Sequence, residues 1–206
     1  MLKKPILTII TISYNSAKTL PTTIKSVIPL LEKYPEFEYL IKDGFSKDSS
    51  FEIAKRLTKG IKNVSIYKSK DEGIYSAMNE AALYSKGKYI LYINSDDFLL
   101  PSSFDSYFTN LLNNDYEYLV APIIYFKRPS LKVRRVFQID SNKSEKGFLK
   151  NFIYSPYPAH PGFICKRKLI LKYFFDVNYK ISADYFLMQQ IFLNSNNKKF
   201  FLKKPI

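Results

Sequence analysis

Asp96 and Asp97 stand side by side directly after an apolar run at 89–93. Adjacent carboxylates in that position suit a hard divalent cation, since Mg²⁺ or Mn²⁺ takes one or two carboxylates and completes its shell with phosphate oxygens. A nucleotide diphosphate is therefore a natural partner. Polar residues close three earlier apolar runs as well: Tyr14-Asn15-Ser16 after 6–13, Asp43-Gly44 after 37–41, and Asp71 after 64–67. Any one of these has an ordinary explanation, because Asp, Asn and Gly favour turns and caps. Agreement at four run ends is harder to attribute to turns alone. The familiar phosphate loops are missing, with no G-x-G-x-x-G after the first run and no G-x-x-x-x-G-K-[ST] anywhere. A single cysteine, Cys165, excludes an internal disulfide and multi-thiolate metal sites, and a single histidine, His160, excludes a zinc site built from several histidines. Cys165 follows Phe163-Ile164 and is expected to be buried.

For the four run ends to meet, the runs must be strands of one parallel sheet, whose carboxyl ends form the ligand crevice. The intervening segments read as helices. Leu20, Ile24, Val27 and Leu31 have helical spacing, with Pro29 expected to kink or end that helix. Asp48 resembles an N-cap before Ile53, Ala54 and Leu57, and Ile74, Ala77, Met78 and Ala81 are expected on one face of a third helix. A βαβαβαβ order implies an α/β fold, a parallel sheet with helices on both faces. Beyond Pro101 the pattern changes to a short amphipathic helix reaching about Leu112. Two antiparallel strands are expected near 118–126 and 131–139, joined by a basic turn at Lys127-Arg128-Pro129-Ser130. A loop rich in aromatics and proline then leads through Tyr154 and Tyr157 to His160, and a final helix carries Ala183-Asp184-Tyr185. A length of 206 residues, 46% hydrophobic and 24% charged, fits one domain with a full core and excludes a disordered chain.

Four segments, in order, carry a specific resemblance: Thr8 to Asn15 (TIITISYN), Lys42-Asp43-Gly44-Phe45-Ser46-Lys47-Asp48, Asp71-Glu72-Gly73-Ile74-Tyr75-Ser76-Ala77-Met78-Asn79, and Leu91-Tyr92-Ile93-Asn94-Ser95-Asp96-Asp97. In these the chain resembles family 2 glycosyltransferases of the GT-A fold, above all bacterial enzymes building surface polysaccharides. The resemblance implies a single GT-A domain over 1–206, with a nucleotide-sugar-binding half at 1–100 and an acceptor-binding half at 101–206. It implies that Ile12, Tyr14 and Asn15 line the base and ribose pocket and that Asp43 accepts a hydrogen bond from the base edge. Asp71 and Asn79 would shape the nucleotide–sugar side of the cleft. Asn94-Ser95-Asp96 stands where the family has its D-x-D signature, so Asp96 would carry the metal, with Ser95 and Asp97 close to the donor. Two departures from the family stand out: Asn94 replaces the first aspartate, and Ser76 occupies a place where close relatives often carry an aspartate.

Asp184 resembles the family's late acidic residue, the general base of an inverting transfer; it is equally a helix N-terminal aspartate favoured by the dipole. His160, in Pro158-Ala159-His160-Pro161-Gly162, resembles a family histidine near the diphosphate, where it would be a third metal ligand or a phosphate donor; a lone histidine is as readily a packed structural residue. The implied reaction moves a sugar from a nucleotide-diphosphate sugar, with UDP as the expected nucleotide, to a saccharide or lipid-linked acceptor.

The net charge of +14 is unevenly placed. Residues 1–120 hold 15 Lys and Arg against 14 Asp and Glu, whereas residues 121–206 hold 17 against 4. Such asymmetry suggests an acidic partner surface. A nucleic-acid-binding protein is the competing reading, disfavoured because the basic residues match no helix-turn-helix or RNA-binding signature. The favoured partner is an anionic membrane surface, with no nucleic acid. The opening MLKKPILTIITISY has a basic head and a short apolar run, yet its threonines and its lack of a cleavage site read as a strand rather than a signal peptide. No apolar stretch reaches the roughly 18 residues a membrane span needs. A cytoplasmic chain, peripheral at the inner face of the membrane, is expected.

Overall fold

The computed structural model describes residues 4–102, 104, 108, 111, 114–127, 130, 132–137, 159–195 and 199–201. The four apolar runs are strands: β1 (Leu7–Ser13), β2 (Phe37–Asp43), β3 (Val64–Lys68) and β4 (Tyr89–Tyr92). They lie side by side in the order β3-β2-β1-β4, all parallel. The sheet continues through β8 (Phe163–Lys166), β5 (Tyr118–Val120) and β9 (Lys199–Phe201), giving seven strands among the described residues. Only β8 runs against its neighbours. A separate two-stranded ribbon, β6 (Ile123–Lys127) with β7 (Lys132–Phe137), is antiparallel.

Alternation along the strands sorts the core into two layers. Leu7, Ile9, Tyr39, Ile41 and Leu91 face one side, where α1 (Leu20–Lys33) and α2 (Ser50–Leu57) cover them with Leu20, Ile24, Val27 and Ala54. Ile10, Leu40, Ile90 and Tyr92 face the other side, under α3 (Ile74–Tyr84), α4 (Arg167–Tyr173) and α5 (Ala183–Leu193). Burying each aliphatic side chain contributes about 1.5–3 kcal/mol. That burial fixes β1 in the interior of the sheet, between β2 and β4, and so fixes where its carboxyl end lies. Cys165 is fully buried in the second layer, as its apolar neighbours suggested.

Two expectations need correction and two need refinement. Pro29 does not end α1, which runs on to Lys33; Pro29 is exposed, so the carbonyl it leaves without a partner one turn back can turn to water while Leu30 and Leu31 stay buried. Ile74 is not on the buried face of α3: it is 49% exposed, and Ala77, Met78, Ala81 and Ala82 form the contact. Ser49 immediately precedes α2 and makes no side-chain cap bond, while Asp48 Oδ1 accepts from the N–H of Ser50 at 3.0 Å, the contact expected of a capping residue. The stretch 118–126 is not one strand. It breaks at Ala121-Pro122, where proline has no N–H for a ladder, so β5 joins the large sheet and β6 leaves it for the ribbon. The helix expected after Pro101 falls where Pro101, Ser102, Phe104, Phe108 and Leu111 are the helical residues described. Tyr154 and Tyr157 lie outside the described residues.

Candidate functional site

The carboxyl ends of β1, β2 and β4 are tied to one another by short polar contacts. Asn15 takes a positive φ of 50°, a conformation asparagine tolerates, and this turns the chain out of β1. Its N–H donates to Ser46 Oγ at 2.9 Å, and its Oδ1 accepts from the Lys47 N–H at 2.9 Å. Ser16 Oγ lies 2.8 Å from Ser95 Oγ, which links the loop after β1 to the loop after β4. Asp43 is 1% exposed, and its two oxygens accept from the Ser46 N–H at 2.9 Å and Ser46 Oγ at 2.6 Å. Its carboxylate therefore shapes the turn beneath the crevice. Ile12, half-buried, pairs with Lys42 in the strand register just below.

Tyr14 and Asp71 meet over Gly44. A Cβ at Gly44 would stand 2.8 Å from Asp71 Oδ2 and 3.4 Å from Tyr14 Cδ2, so glycine is what allows the close approach. Tyr14 is 59% exposed and offers its ring to the crevice. Asp71 is held from below by Lys42, whose fully buried ammonium pairs with it, lies 3.5 Å from Glu80 Oε2 and donates to the Ser69 carbonyl at 3.1 Å. A buried ammonium without such partners would cost several kcal/mol, so this pairing fixes Asp71 in place. Lys42 was not singled out by the sequence reading; its position one residue before Asp43, on a strand buried along its whole length, is the only sequence signal it gave.

Beyond β4 the chain turns at Asn94, whose amide donates to Asp97 Oδ2 at 2.9 Å, while Thr23 Oγ1 donates to the Asp97 carbonyl. Asp96 is exposed at the crevice edge, and Asp97 and Ser95 are half-buried. Next to this pair lies a cavity of about 430 Å³, walled by Phe98, Pro161 and the β6–β7 ribbon.

Asp184 occupies the first turn of α5, following Ser182 at φ 67°. Tyr75 of α3 donates its hydroxyl to Asp184 Oδ1 at 3.1 Å. Burial pushes the Tyr75 hydroxyl pKa up, and the Asp184 charge adds to that. His160 is buried against the rings of Tyr92 and Phe175, with centroids 5.3 and 5.7 Å away. Burial lowers its imidazole pKa, opposed by the charge of Asp184. His160 thus sits in the field of Asp184, while its neighbour Pro161 lines the cavity beside Asp96 and Asp97. Asn79 is a correction. Its Nδ2 donates to the Phe175 carbonyl and its Oδ1 accepts from the Phe175 N–H, both at 2.8 Å, so its amide locks α3 to the segment after α4 rather than lining the crevice. Tyr75 was missed by the sequence reading, although it lies in the same segment as Asp71 and Asn79.

The donor chemistry fits a hard cation at Asp96, an exposed carboxylate at a strand end. Among the described residues no group of three or more His, Cys, Asp and Glu side chains could hold a metal, so His160 is not assembled with Asp96 and Asp97 into a protein-only site. Mg²⁺ or Mn²⁺ would depend on diphosphate oxygens to complete its shell.

Residues 8–176 match the family described as Glycosyl transferase family 2. An uncharacterized glycosyltransferase of Methanocaldococcus jannaschii is 26% identical over 185 residues, 88% of this chain and 63% of its own length. A putative teichuronic acid biosynthesis glycosyltransferase of Bacillus subtilis is 30% identical over 95 residues, 46% of this chain and 37% of its own. Among solved structures, S. aureus TarS superposes with a TM-score of 0.78 at 18% identity, covering 96% of this chain and 58% of that one. A mannosyltransferase of Pyrobaculum calidifontis, solved with GDP-Man and Mn²⁺, superposes with a TM-score of 0.66 at 13% identity, covering 98% of this chain and 56% of that one. The chain spans less than two thirds of the length of each of these relatives.

Proposed function

This chain belongs to glycosyltransferase family 2, and from that premise we propose that it transfers a sugar, with inversion, from a nucleotide-diphosphate sugar to a hydroxyl of a saccharide or lipid-linked acceptor in bacterial surface-polysaccharide synthesis. The observation that carries this reading is the convergence of Tyr14, Asp71 and the Asp96-Asp97 pair at the carboxyl ends of four adjacent parallel strands. UDP is the favoured nucleotide. S. aureus TarS has been solved with UDP and with UDP-GlcNAc, which supports a nucleotide-sugar donor here.

In this reading Tyr14 covers the base, Ile12 and Asn15 flank the base and ribose, Asp43 accepts from the base edge while holding the turn through Ser46, and Asp71 shapes the nucleotide–sugar side of the cleft. Ser95 and Asp97 border the donor sugar. Asp96 would hold Mn²⁺ or Mg²⁺, which would supply Lewis-acid stabilisation of the charge on the diphosphate. Asp184 is the general base. Its carboxylate takes the acceptor hydroxyl proton as the oxygen bonds to the anomeric carbon, and the bond from that carbon to the diphosphate breaks with its electron pair leaving on the diphosphate. Tyr75 holds Asp184 Oδ1 and so fixes the orientation of the carboxylate. The rings of Tyr92, His160 and Phe175 pack on one another, and His160 lies within the field of Asp184.

The test is a panel of nucleotide sugars assayed for hydrolysis and transfer with Mn²⁺ present. A single UDP-sugar consumed faster than the rest, with activity abolished by chelation, is expected. No consumption of any nucleotide sugar would overturn the reading.

A further inference from the structure

Lys42 places a charge inside the core. It is fully buried on β2, a strand whose residues are all buried, and it shares a face with Leu40, which packs in the layer under α3. An apolar side chain there would avoid the cost of drying an ammonium, and exchanging buried ion pairs for apolar residues is commonly neutral or stabilising. Stability alone does not account for a lysine at this position. Its partners do. The ammonium pairs with Asp71, lies 3.5 Å from Glu80 Oε2 and donates to the Ser69 carbonyl at 3.1 Å. Three partners match the three donors of an ammonium. Ser69 Oγ donates in turn to Glu80 Oε1 at 2.7 Å, so the second acid is held as well.

What this cluster holds is a carboxylate of the crevice. Asp71 Oδ2 takes the Lys42 ammonium, and Asp71 Oδ1 accepts from the Gly73 N–H at 3.1 Å, so both oxygens are fixed. Asp71 keeps 15% of its side chain exposed, over Gly44 and beside Tyr14. Glu80 lies on α3 and Gly73 caps it, so the cluster ties the carboxyl end of β2 to that helix. Lys68 and Lys70, at the end of β3, are exposed and rest over the Phe45 ring at 5.1 and 6.0 Å. Among the described residues it is Lys42 that pairs with Asp71. Resting on the nucleotide-sugar reading above, we infer that Lys42 is a positioning residue of the donor site: braced by Glu80 and Ser69, it sets the Asp71 carboxylate against which the nucleotide binds. Fully buried, it reaches no substrate itself.

The test is calorimetry of UDP binding to the whole chain, with and without Mn²⁺, in wild type and three variants. A double variant, Lys42→Met with Glu80→Gln, removes the brace and keeps Asp71; the second variant is Asp71→Asn; the third combines all three changes. The double variant and Asp71→Asn should each weaken UDP by roughly 10–100-fold, the size of one interaction with a charged group. The combined variant should bind no more weakly than Asp71→Asn, because a residue that acts through Asp71 then has nothing left to position. The gain in UDP affinity on adding Mn²⁺, assigned to Asp96, should survive in the double variant; its loss there would mark a structural role and overturn the inference. UDP affinity near wild type in the double variant, or losses that multiply in the combined one, would overturn it too. Should the double variant not fold, wild type decides by NMR. The nitrogen signal of the Lys42 ammonium should move as UDP is added and saturate with the calorimetric affinity, and an unmoved signal would overturn the inference. Wild type that binds no UDP would instead remove the donor reading, and the inference with it.

Discussion

The acids of the crevice divide by how they are held. Asp43 and Asp71 are anchored by Ser46 and Lys42. Asp184 is oriented by Tyr75. A general base acts only in the transition state, so Asp184→Asn should lower turnover by about 10²–10⁴ and leave the donor dissociation constant unchanged. Tyr75→Phe should give a smaller loss of the same kind. Turnover within a few-fold of wild type for Asp184→Asn would return Asp184 to a helix-terminal role. His160 supports a pH prediction. Burial holds its imidazole below the ordinary value near 6.5, so as pH falls the unfolded chain takes up the proton first and stability is lost below about pH 6.5. The melting temperature should therefore drop between pH 7 and 5, and less steeply in His160→Gln; identical slopes would contradict this. Tyr14, Asp43, Asp71, Asp96 and Asp97 were legible in the sequence because each follows an apolar run, whereas Asp184 was singled out by resemblance alone. Lys42 and Tyr75 were not, since each acts through a partner 29 or 109 residues away that no local pattern reveals. Asn79 was assigned to the crevice because a motif gives position without direction.

The elements that position these residues were largely readable from periodicity. β1 to β4 and α1 to α3 fall where apolar runs and helical spacing put them, because a buried parallel strand leaves a continuous β-branched signature. The second half was less legible. Whether 118–126 is one strand or two turns on Pro122 and on which partner each piece finds, and β8 enters between β4 and β5 from a distant part of the chain. Gly162 marks that junction. A Cβ there would stand 2.3 Å from the Ala121 carbonyl and 3.1 Å from Ile123 Cγ2. Gly162→Ala should cost about 1–3 kcal/mol through overpacking, measured by urea denaturation. Asn79→Ala should also cost about 1–3 kcal/mol, because it leaves the Phe175 main chain without partners, while UDP affinity stays within twofold. A large loss of UDP affinity at unchanged stability would place Asn79 back in the crevice.

At the scale of the whole chain, an excess of cations in residues 121–206 adjoins an electrically balanced first half. Among the described residues no helix is long and apolar enough to cross a membrane. Each Lys or Arg near an anionic leaflet contributes about 1 kcal/mol, screened over a length of about 8 Å at physiological ionic strength. Binding to vesicles should rise with the fraction of phosphatidylglycerol and fall with salt; equal binding to neutral vesicles would contradict a role for the basic half. The central claim is that the strand-end crevice binds a nucleotide diphosphate through a cation at Asp96, and calorimetric titration of UDP with and without Mn²⁺ tests it most directly. Wild type should bind UDP more tightly with Mn²⁺ than without it, and Asp96→Ala should keep its melting temperature and lose that difference. UDP affinity that ignores both Mn²⁺ and the loss of Asp96 would contradict the account.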